Sequence, residues 1–462
     1  MIATTFLDSF CSSNEPTIDG QVSGRIHNIR NKSKIGFIVL RKNIETLQAV
    51  FQKDVLGEDK FKTLCHLPTE TYITLSGKFK KLSENQKVKS CSHHYIEFEV
   101  KDFLVGSKNY NKIPIQLDEA NNLNEVTKSD PHVQLSTKLN YRYFELRTPI
   151  NNCIFKMKSM LTNTFRSFLV DRNFIEINTP KLIGTSSEGG SNAFKLDYFN
   201  EKAFLAQSPQ LYKQMMINAD FERVFEIGPV FRAENSNTNR HLCEFTGLDI
   251  EMEIPDGESY LYIIDLLWKL LDSIFTKFKA SKEYAYIQSI YHFKELVYPE
   301  KLLIIHFADA VKLLNDNGFK QEAQEDFNTD NEKHLGDLVK QLYNSDLVVV
   351  DQYPRKVRPF YTMPTNGDLH SLYSNSYDII LRGEEICSGS QRIHDYQLLL
   401  DSLKTKNLYA RDFVDYLDSF AYGSKMHGGA GFGCERVLEL YLDLKDIRRA
   451  SLFPRDPGRL MP

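Results

Sequence analysis

No apolar run in this sequence reaches the ~18 residues that a membrane span needs. Its best amphipathic stretch, residues 260–278, is interrupted by Asp265, Lys269 and Asp272. No membrane association is therefore expected. Cysteine is sparse and scattered: Cys11, Cys65, Cys91, Cys153, Cys243, Cys387 and Cys434 form no C-x-x-C pair. That argues against a zinc site and for a reducing compartment, so a cytoplasmic location is expected. No basic residue precedes Arg25, which predicts neither a secretory signal nor an Arg-rich transit peptide. Two phosphate-binding signatures are also missing. There is no G-x-x-x-x-G-K-[ST], and no G-x-G-x-x-G follows a strand pattern. A nucleotide site in this chain must be of another kind.

What is present is an ordinary globular composition, 42% hydrophobic and 26% charged over 462 residues. That length predicts two or three domains with ample core. The net charge of −4 is unevenly spread. Residues 20–110 hold 16 Lys and Arg against 9 Asp and Glu, while the rest hold 41 against 52. A basic module on an acidic body points to a polyanionic partner for the module alone.

Along the chain, residues 1–19 are polar and irregular and are expected as a short arm. Residues 20–108 read as five short strands without a long helix, which predicts a small closed barrel of the OB type. Aromatics lie among basic residues there, Phe37 beside Lys34 and Arg41. That pattern suits single-stranded nucleic acid, whose bases stack and whose phosphates meet cations. Residues 109–135 read as a linker, and residues 136–462 as a second domain. Apolar spacing predicts a helix over 153–172, followed by a strand in DRNFIEINTPKL that Pro180 closes. The Gly/Ser-rich TSSEGGSNA surrounds Glu188, and LAQSPQLYKQ places Gln207, Gln210 and Lys213 around a turn into a helix. Residues 259–350 show no evident chemistry and are expected as a peripheral insertion. In SNSYDIILRGEEICSGSQRIHD a buried strand and a turn precede a polar run with Asp378, Glu384, Glu385, Ser388 and Arg392. GGAGFGCER opens a helix with Arg436 in its first turn, near where phosphate would sit.

The most informative stretch is residues 225–253. A strand, a polar loop and a second strand predict a hairpin with a long charged tip, and long loops usually carry function. Arg232 ends the first strand, Glu234 follows, Phe245 opens the second, and Asp249, Glu251 and Glu253 alternate along one face. Cation, aromatic plane and carboxylates suit a nucleotide with a metal ion.

Together these segments resemble the class II aminoacyl-tRNA synthetases, and within them the aspartyl-tRNA synthetases of eukaryotic or archaeal type. INTP at 177–180 resembles motif 1, FRAE at 231–234 with RHLCEFTGLDIE resembles motif 2, and GFGCER at 431–436 resembles motif 3. SEGGSN, AQSPQLYKQ, RPFYTMP, RGEEICSGSQRIHD and IRRASLFPRDPGRL extend the likeness over roughly residues 21–462. One departure is Cys434, where leucine is common. The resemblance implies an α+β protein, an N-terminal OB-fold barrel followed by a class II catalytic domain with a mostly antiparallel sheet flanked by helices. It implies a homodimer that forms aspartyl-adenylate from aspartate and ATP, with Mg²⁺, and passes the aspartyl group to the 3′-OH of tRNA(Asp).

The resemblance also implies roles. Arg232, Glu234 and Arg436 are the expected catalytic residues, with Arg232 on the α-phosphate and Arg436 at the far end of the polyphosphate. Phe245 would cover the adenine, and Ala233, Arg240, His241, Leu242, Gly433, Cys434 and Glu435 would line the nucleotide. Glu385 and Ser388 would bind Mg²⁺, with Asp378 behind them; magnesium takes oxygen donors and keeps several waters. Lys213 and Arg392 would receive the substrate side-chain carboxylate, which separates aspartate from the near-isosteric asparagine. Asp249 and Glu188 would face the substrate ammonium or order nearby cations. Gln207 and Gln210 would hydrogen-bond the amino acid, with Arg232 and Ser388 beside it. On the barrel, Phe37 would stack on an anticodon base, Gln48 and Glu97 would read base edges, and Arg30 would meet the backbone. The residues 235–239 would touch the tRNA acceptor end. The asparaginyl enzyme, a dual-specificity enzyme and a non-catalytic RNA-binding paralogue stay open at this point.

Overall fold

Five strands close into a barrel in the computed structural model, which describes residue 10 and residues 15–124, 133–185, 192–235 and 238–461. They are β1 (Thr17–Lys32), β2 (Ile35–Lys42), β3 (Glu45–Gln52), β4 (Tyr72–Lys81) and β5 (Ile96–Ser107), in the order β1-β2-β3-β5-β4. Alternation decides which face is inside. Ile38 and Leu40, Leu47, Ala49 and Phe51, Leu75 and Phe79, and Ile96 and Phe98 fill the interior. Their odd or even neighbours, among them Phe37, Gln48 and Glu97, take the outer face. Gly77 is required where β4 bulges against β5, because a Cβ there would lie 1.9 Å from the carbonyl oxygen of Glu99.

The chain divides into two units, Met1–Asn122 with Val126–Cys153, and Leu123–Glu125 with Ile154–Pro462. The first is more than the barrel. Residues 109–135, expected as a bare linker, hold a short helix, Leu117–Ala120, and Ile115, Leu117 and Ala120 pack on Phe144. Glu70, at a left-handed φ of 66°, accepts from Arg41 at 2.7 Å and from Arg147 at 3.1 Å. That carboxylate ties the barrel to the segment after it.

The second unit is built on an eight-stranded sheet. In chain order its strands are β6 (Ile175–Glu176), β10 (Arg223–Phe231), β11 (Glu244–Glu253), β12 (Ile304–His306), β13 (Leu347–Asp351), β14 (Ser376–Leu381), β15 (Glu384–Gln391) and β16 (His427–Gly433). The spatial order is β12-β13-β14-β15-β16-β11-β10-β6, antiparallel except at its two ends. A small second sheet pairs β7 (Leu182–Ile183), β9 (Glu201–Leu205) and β8 (Lys195–Tyr198). The helix expected over 153–172 runs Pro149–Val170. Phe165 on it meets Phe225 and Phe432 edge-on at 6.0 and 6.4 Å, contacts of about 0.5–1.5 kcal/mol each beyond their buried area.

Two expectations change. The strand in DRNFIEINTPKL shrinks to β6, because the chain beyond it bonds to a side chain instead of a ladder. Thr179 donates through its backbone N–H and its Oγ1 to the buried Glu226 carboxylate, which Lys181 also reaches at 2.7 Å. Residues 259–350 are not peripheral either. Their Leu261–Lys279 helix buries nine apolar residues, and every residue of β13 is buried inside the sheet. A segment with that much apolar surface cannot sit outside the core.

Candidate active site

The long hairpin forms as the pattern predicts, with Phe231 opposite Glu244 and Glu226 opposite Asp249. Its face opens on a cavity of about 350 Å³ bounded by β15, β16 and the start of the Cys434–Tyr441 helix. At one end lie Arg232, Glu234, Arg240, His241, Leu242, Phe245 and Arg436. The Arg232 guanidinium is 5.5 Å from the centre of the Phe245 ring, and its Nε has no partner among the described residues. Arg436 donates to the carbonyl oxygens of Glu385 at 3.1 Å and of Arg240 at 2.6 Å. Arg240 is itself clamped, with Glu332 and Glu384 both at 2.7 Å. Burial opposes its charge, but the two carboxylates outweigh burial and raise its pKa. His241 is shifted the other way, lowered by burial and by the neighbouring arginines.

The middle of the cavity gathers oxygen. In a regular strand Glu385 and Ser388 would face opposite ways. The ladder between β14 and β15 slips, so that Ile379 pairs with Cys387 but Ile380 pairs with Glu385. The extra residue, Ile386, is a bulge, and it turns Glu385 to the side of Ser388. Asp378 stands opposite Ser388 on β14, one row back from the cavity lining. Burial and the charges of Asp378 and Glu332 push Glu385 up to about 7. Asp378 Oδ1 is buried with no partner among the described residues. Two crowded carboxyl groups, one of them with an orphaned oxygen, and a hydroxyl fit a small divalent cation.

The inner end is a buried charge lattice. Lys213 Nζ lies 3.2 Å from Asp249, 3.3 Å from Glu251 and 3.4 Å from the carbonyl oxygen of Ala430. Arg392 forks onto Glu251 at 2.9 and 3.2 Å and donates to Ser390 Oγ at 2.6 Å. Glu251 is fully buried, and glycine at 429 makes room for it, since a Cβ there would lie 2.3 Å from its Oε2. Behind this lattice His427 is fully buried and pushed down to about 4, chiefly by burial. A folded-state value below the unfolded 6.5 means that only the unfolded chain takes up this proton as pH falls from 6.5 to about 4. Stability is therefore expected to fall across that window, with a slope of up to about 1.4 kcal/mol per pH unit from this residue. Denaturation midpoints of His427→Gln at pH 7, 5.5 and 4.5 should show a flatter slope than the wild type; parallel slopes would contradict it.

On the barrel, Arg30 pairs opposite Phe37, and Val39, two residues on, pairs opposite Gln48. Gln48 donates to Glu97 at 2.7 Å. The four residues share one outer face across adjacent strands, with Arg30 exposed and Phe37 half-buried.

Residues 134–457 match the family of tRNA synthetases class II (D, K and N), and residues 21–101 match the OB-fold nucleic acid binding domain. The chain belongs to the class II tRNA synthetases. It is 41% identical over 457 residues to the cytoplasmic aspartate–tRNA ligase of Caenorhabditis elegans, covering 96% of this chain and 85% of that one. Among solved structures, the aspartyl-tRNA synthetase of Entamoeba histolytica superposes with a TM-score of 0.86 at 37% identity, over 96% of this chain and 90% of that chain. The asparaginyl-tRNA synthetase of Pyrococcus horikoshii, complexed with asparaginyl-adenylate, superposes with a TM-score of 0.85 at 27% identity over 96% of both chains.

Most residues singled out in the synthetase sequence line this cavity, including Gln207, Gln210, Gly433 and Glu435. Four stand differently. Cys434 is fully buried and its thiol is pushed up by burial, so it packs beneath the site and does not line it. Ala233 stays outside the lining, its N–H bonded to the carbonyl of Asn192 at 2.8 Å. The Glu435 carboxylate is held away from a ligand by Lys158 at 2.6 Å and by the Thr246 N–H at 2.9 Å. Glu188, together with Ser236 and Asn237 of the hairpin tip, lies outside the described residues. Sequence reasoning missed Glu332 and Arg358, and placed Glu384 in the polar run without a role. Glu332 sits in the segment dismissed as peripheral, and also accepts the Glu385 N–H at 2.8 Å. Arg358 was in view in RPFYTMP, but nothing in its spacing points to Asp378.

Proposed function

We propose that this synthetase joins L-aspartate to tRNA(Asp) through aspartyl-adenylate. The observation that carries the reading is the pair of buried cations, Lys213 and Arg392, at the inner end of a cavity whose outer end holds Arg232, Arg436 and Phe245. A ligand with a carboxylate at one end and a polyphosphate and flat base at the other matches that order. The aspartate α-carboxylate attacks the α-phosphorus, the bond to the β-phosphate breaks and pyrophosphate leaves. The tRNA 3′-OH then attacks the aspartyl carbonyl and AMP leaves. Both steps depend on positioning and charge neutralisation. Arg232 aligns the α-phosphate with the attacking carboxylate, Arg436 holds the far phosphates, and Phe245 covers one face of the adenine. Gln207 and Gln210 hydrogen-bond the amino acid, and Gln210 Nε2 is buried without a partner among the described residues. Glu385 and Ser388, with Asp378 behind, would hold Mg²⁺, which when bound supplies positive charge to the polyphosphate.

The anticodon of the tRNA is assigned to the barrel face of Arg30, Phe37, Gln48 and Glu97, where a base can stack on Phe37. A homodimer and a cytoplasmic location are part of the same reading, the location supported by relatives named cytoplasmic aspartate–tRNA ligases. No helix among the described residues is long and apolar enough to cross a membrane. The test is ATP–pyrophosphate exchange with the purified chain. Aspartate is expected to support exchange at least about 10⁴ times better than asparagine, the ratio reached when a buried polar partner goes unpaired. Equal exchange would overturn the Lys213–Arg392 argument, and none at all would favour a non-catalytic RNA-binding protein.

A further inference from the structure

Arg358 enters the cavity wall just after the Arg355–Val357 turn, with 10% of its side chain exposed. Nη2 donates to Asp378 at 2.5 Å and Nη1 to Ser388 Oγ at 3.1 Å. The guanidinium carbon lies 3.8 Å from the centre of the Tyr353 ring, which supports the cation from its other side. Its Nε is buried with no partner among the described residues. One resident cation thus engages two of the three oxygen donors suited to a divalent ion. The two cannot fully coexist. Magnesium needs oxygen contacts of about 2.0–2.1 Å, and a guanidinium held on Ser388 Oγ and on Oδ2 of the Asp378 carboxylate repels it.

We propose that Arg358 is a placeholder cation for the metal site: it holds Asp378 and Ser388 in position while no metal is bound, resists a divalent ion that arrives alone, and yields Ser388 when the ion arrives with a nucleotide polyphosphate. This rests on the reading of the cavity as an ATP and Mg²⁺ site. The polyphosphate supplies the negative charge that lets a guanidinium and a divalent ion lie side by side, and the freed guanidinium nitrogens turn to it. Metal and nucleotide then bind as a coupled pair, each raising the affinity for the other by the same factor. Arg358 is in this sense a positioning residue for the metal donors.

The test uses the full chain and Mn²⁺ as the probe, with enzyme-bound ion measured by water-proton relaxation with and without ATP. Wild type is expected to bind Mn²⁺ weakly alone and far more tightly with ATP. Arg358→Gln should bind Mn²⁺ alone about tenfold more tightly than wild type, the factor for about 1.4 kcal/mol of repulsion removed, and should lose most of the ATP coupling. Arg358→Lys keeps the charge but cannot fork onto both oxygens, so it should fall between them. If the Gln variant does not fold, the Lys variant decides. Variants that bind Mn²⁺ alone no better than wild type overturn the proposal. Wild type that binds no Mn²⁺ even with saturating ATP overturns the reading of the cavity itself.

Discussion

Lys213→Met is expected to lower kcat/KM for aspartate in pyrophosphate exchange by about 10⁴, the effect of leaving a buried polar group without its partner. The ATP dependence should change little, because Lys213 lies at the end of the cavity away from Arg232 and Phe245. The lysine is buried with side-chain exposure of 3%, and its ammonium is held between Asp249 and Glu251. Methionine keeps an apolar stem one atom shorter and removes the charge and donors. The substrate carboxylate would then face Asp249 with one cation fewer. Comparison of aspartate and ATP KM values separates this from a general loss of fold. A fall in kcat/KM for aspartate of less than tenfold would remove Lys213 from substrate recognition.

Glu251→Gln is expected to destabilise the protein by about 3–5 kcal/mol at neutral pH, the usual result of removing one member of a buried ionic cluster. The carboxylate is fully buried and touches both Lys213 and Arg392. Glutamine fills the same volume and leaves two cations facing each other. Burial alone would raise the Glu251 pKa, but Arg392 and Lys213 outweigh it and hold it below the usual carboxylate range. A depressed folded value gives stabilisation that is complete above the unfolded pKa of about 4.3 and is lost as pH falls through the folded value. The difference between wild type and variant in denaturant midpoint should therefore be largest near pH 7 and shrink below about 4.3. A difference that stays constant down to pH 3 would show that the charge of Glu251 is not what matters.

The parts of this protein that were legible in its sequence are those governed by local period. Alternation in residues 20–108 is enough to predict the barrel, since inward Ile38, Leu40 and Phe51 can face only one way. The hairpin was legible because two strand patterns flank a polar loop. The long helix was legible from its apolar spacing. What stayed hidden depends on contacts across long separations. Glu332 reaches Arg240 from 92 residues away, and Arg392 reaches Glu251 across 141. No window along the chain contains either pair. The residues of the cavity were found because a family resemblance joined segments that periodicity cannot join. Where the resemblance assigned a stretch as a block, as with Cys434 and Glu435, burial and hydrogen bonding separate the side chains that face a ligand from those that hold the block together. The segment 259–350 was misjudged because its apolar residues are spread over several short elements, which look amphipathic one at a time and form a core only when stacked.

The slipped ladder at Ile386 has a consequence for how this gene tolerates change. A strand is a two-state counter: each residue added or removed exchanges left for right in everything beyond it. The donors Glu385 and Ser388 are three residues apart, an odd count, and they act together only because one further residue resets the parity between them. A single-residue insertion or deletion between positions 385 and 388 would leave composition, charge and hydrophobicity almost untouched, yet would place the two oxygens on opposite sides of the sheet. Substitutions here are graded in their effects, whereas changes of length are all or nothing.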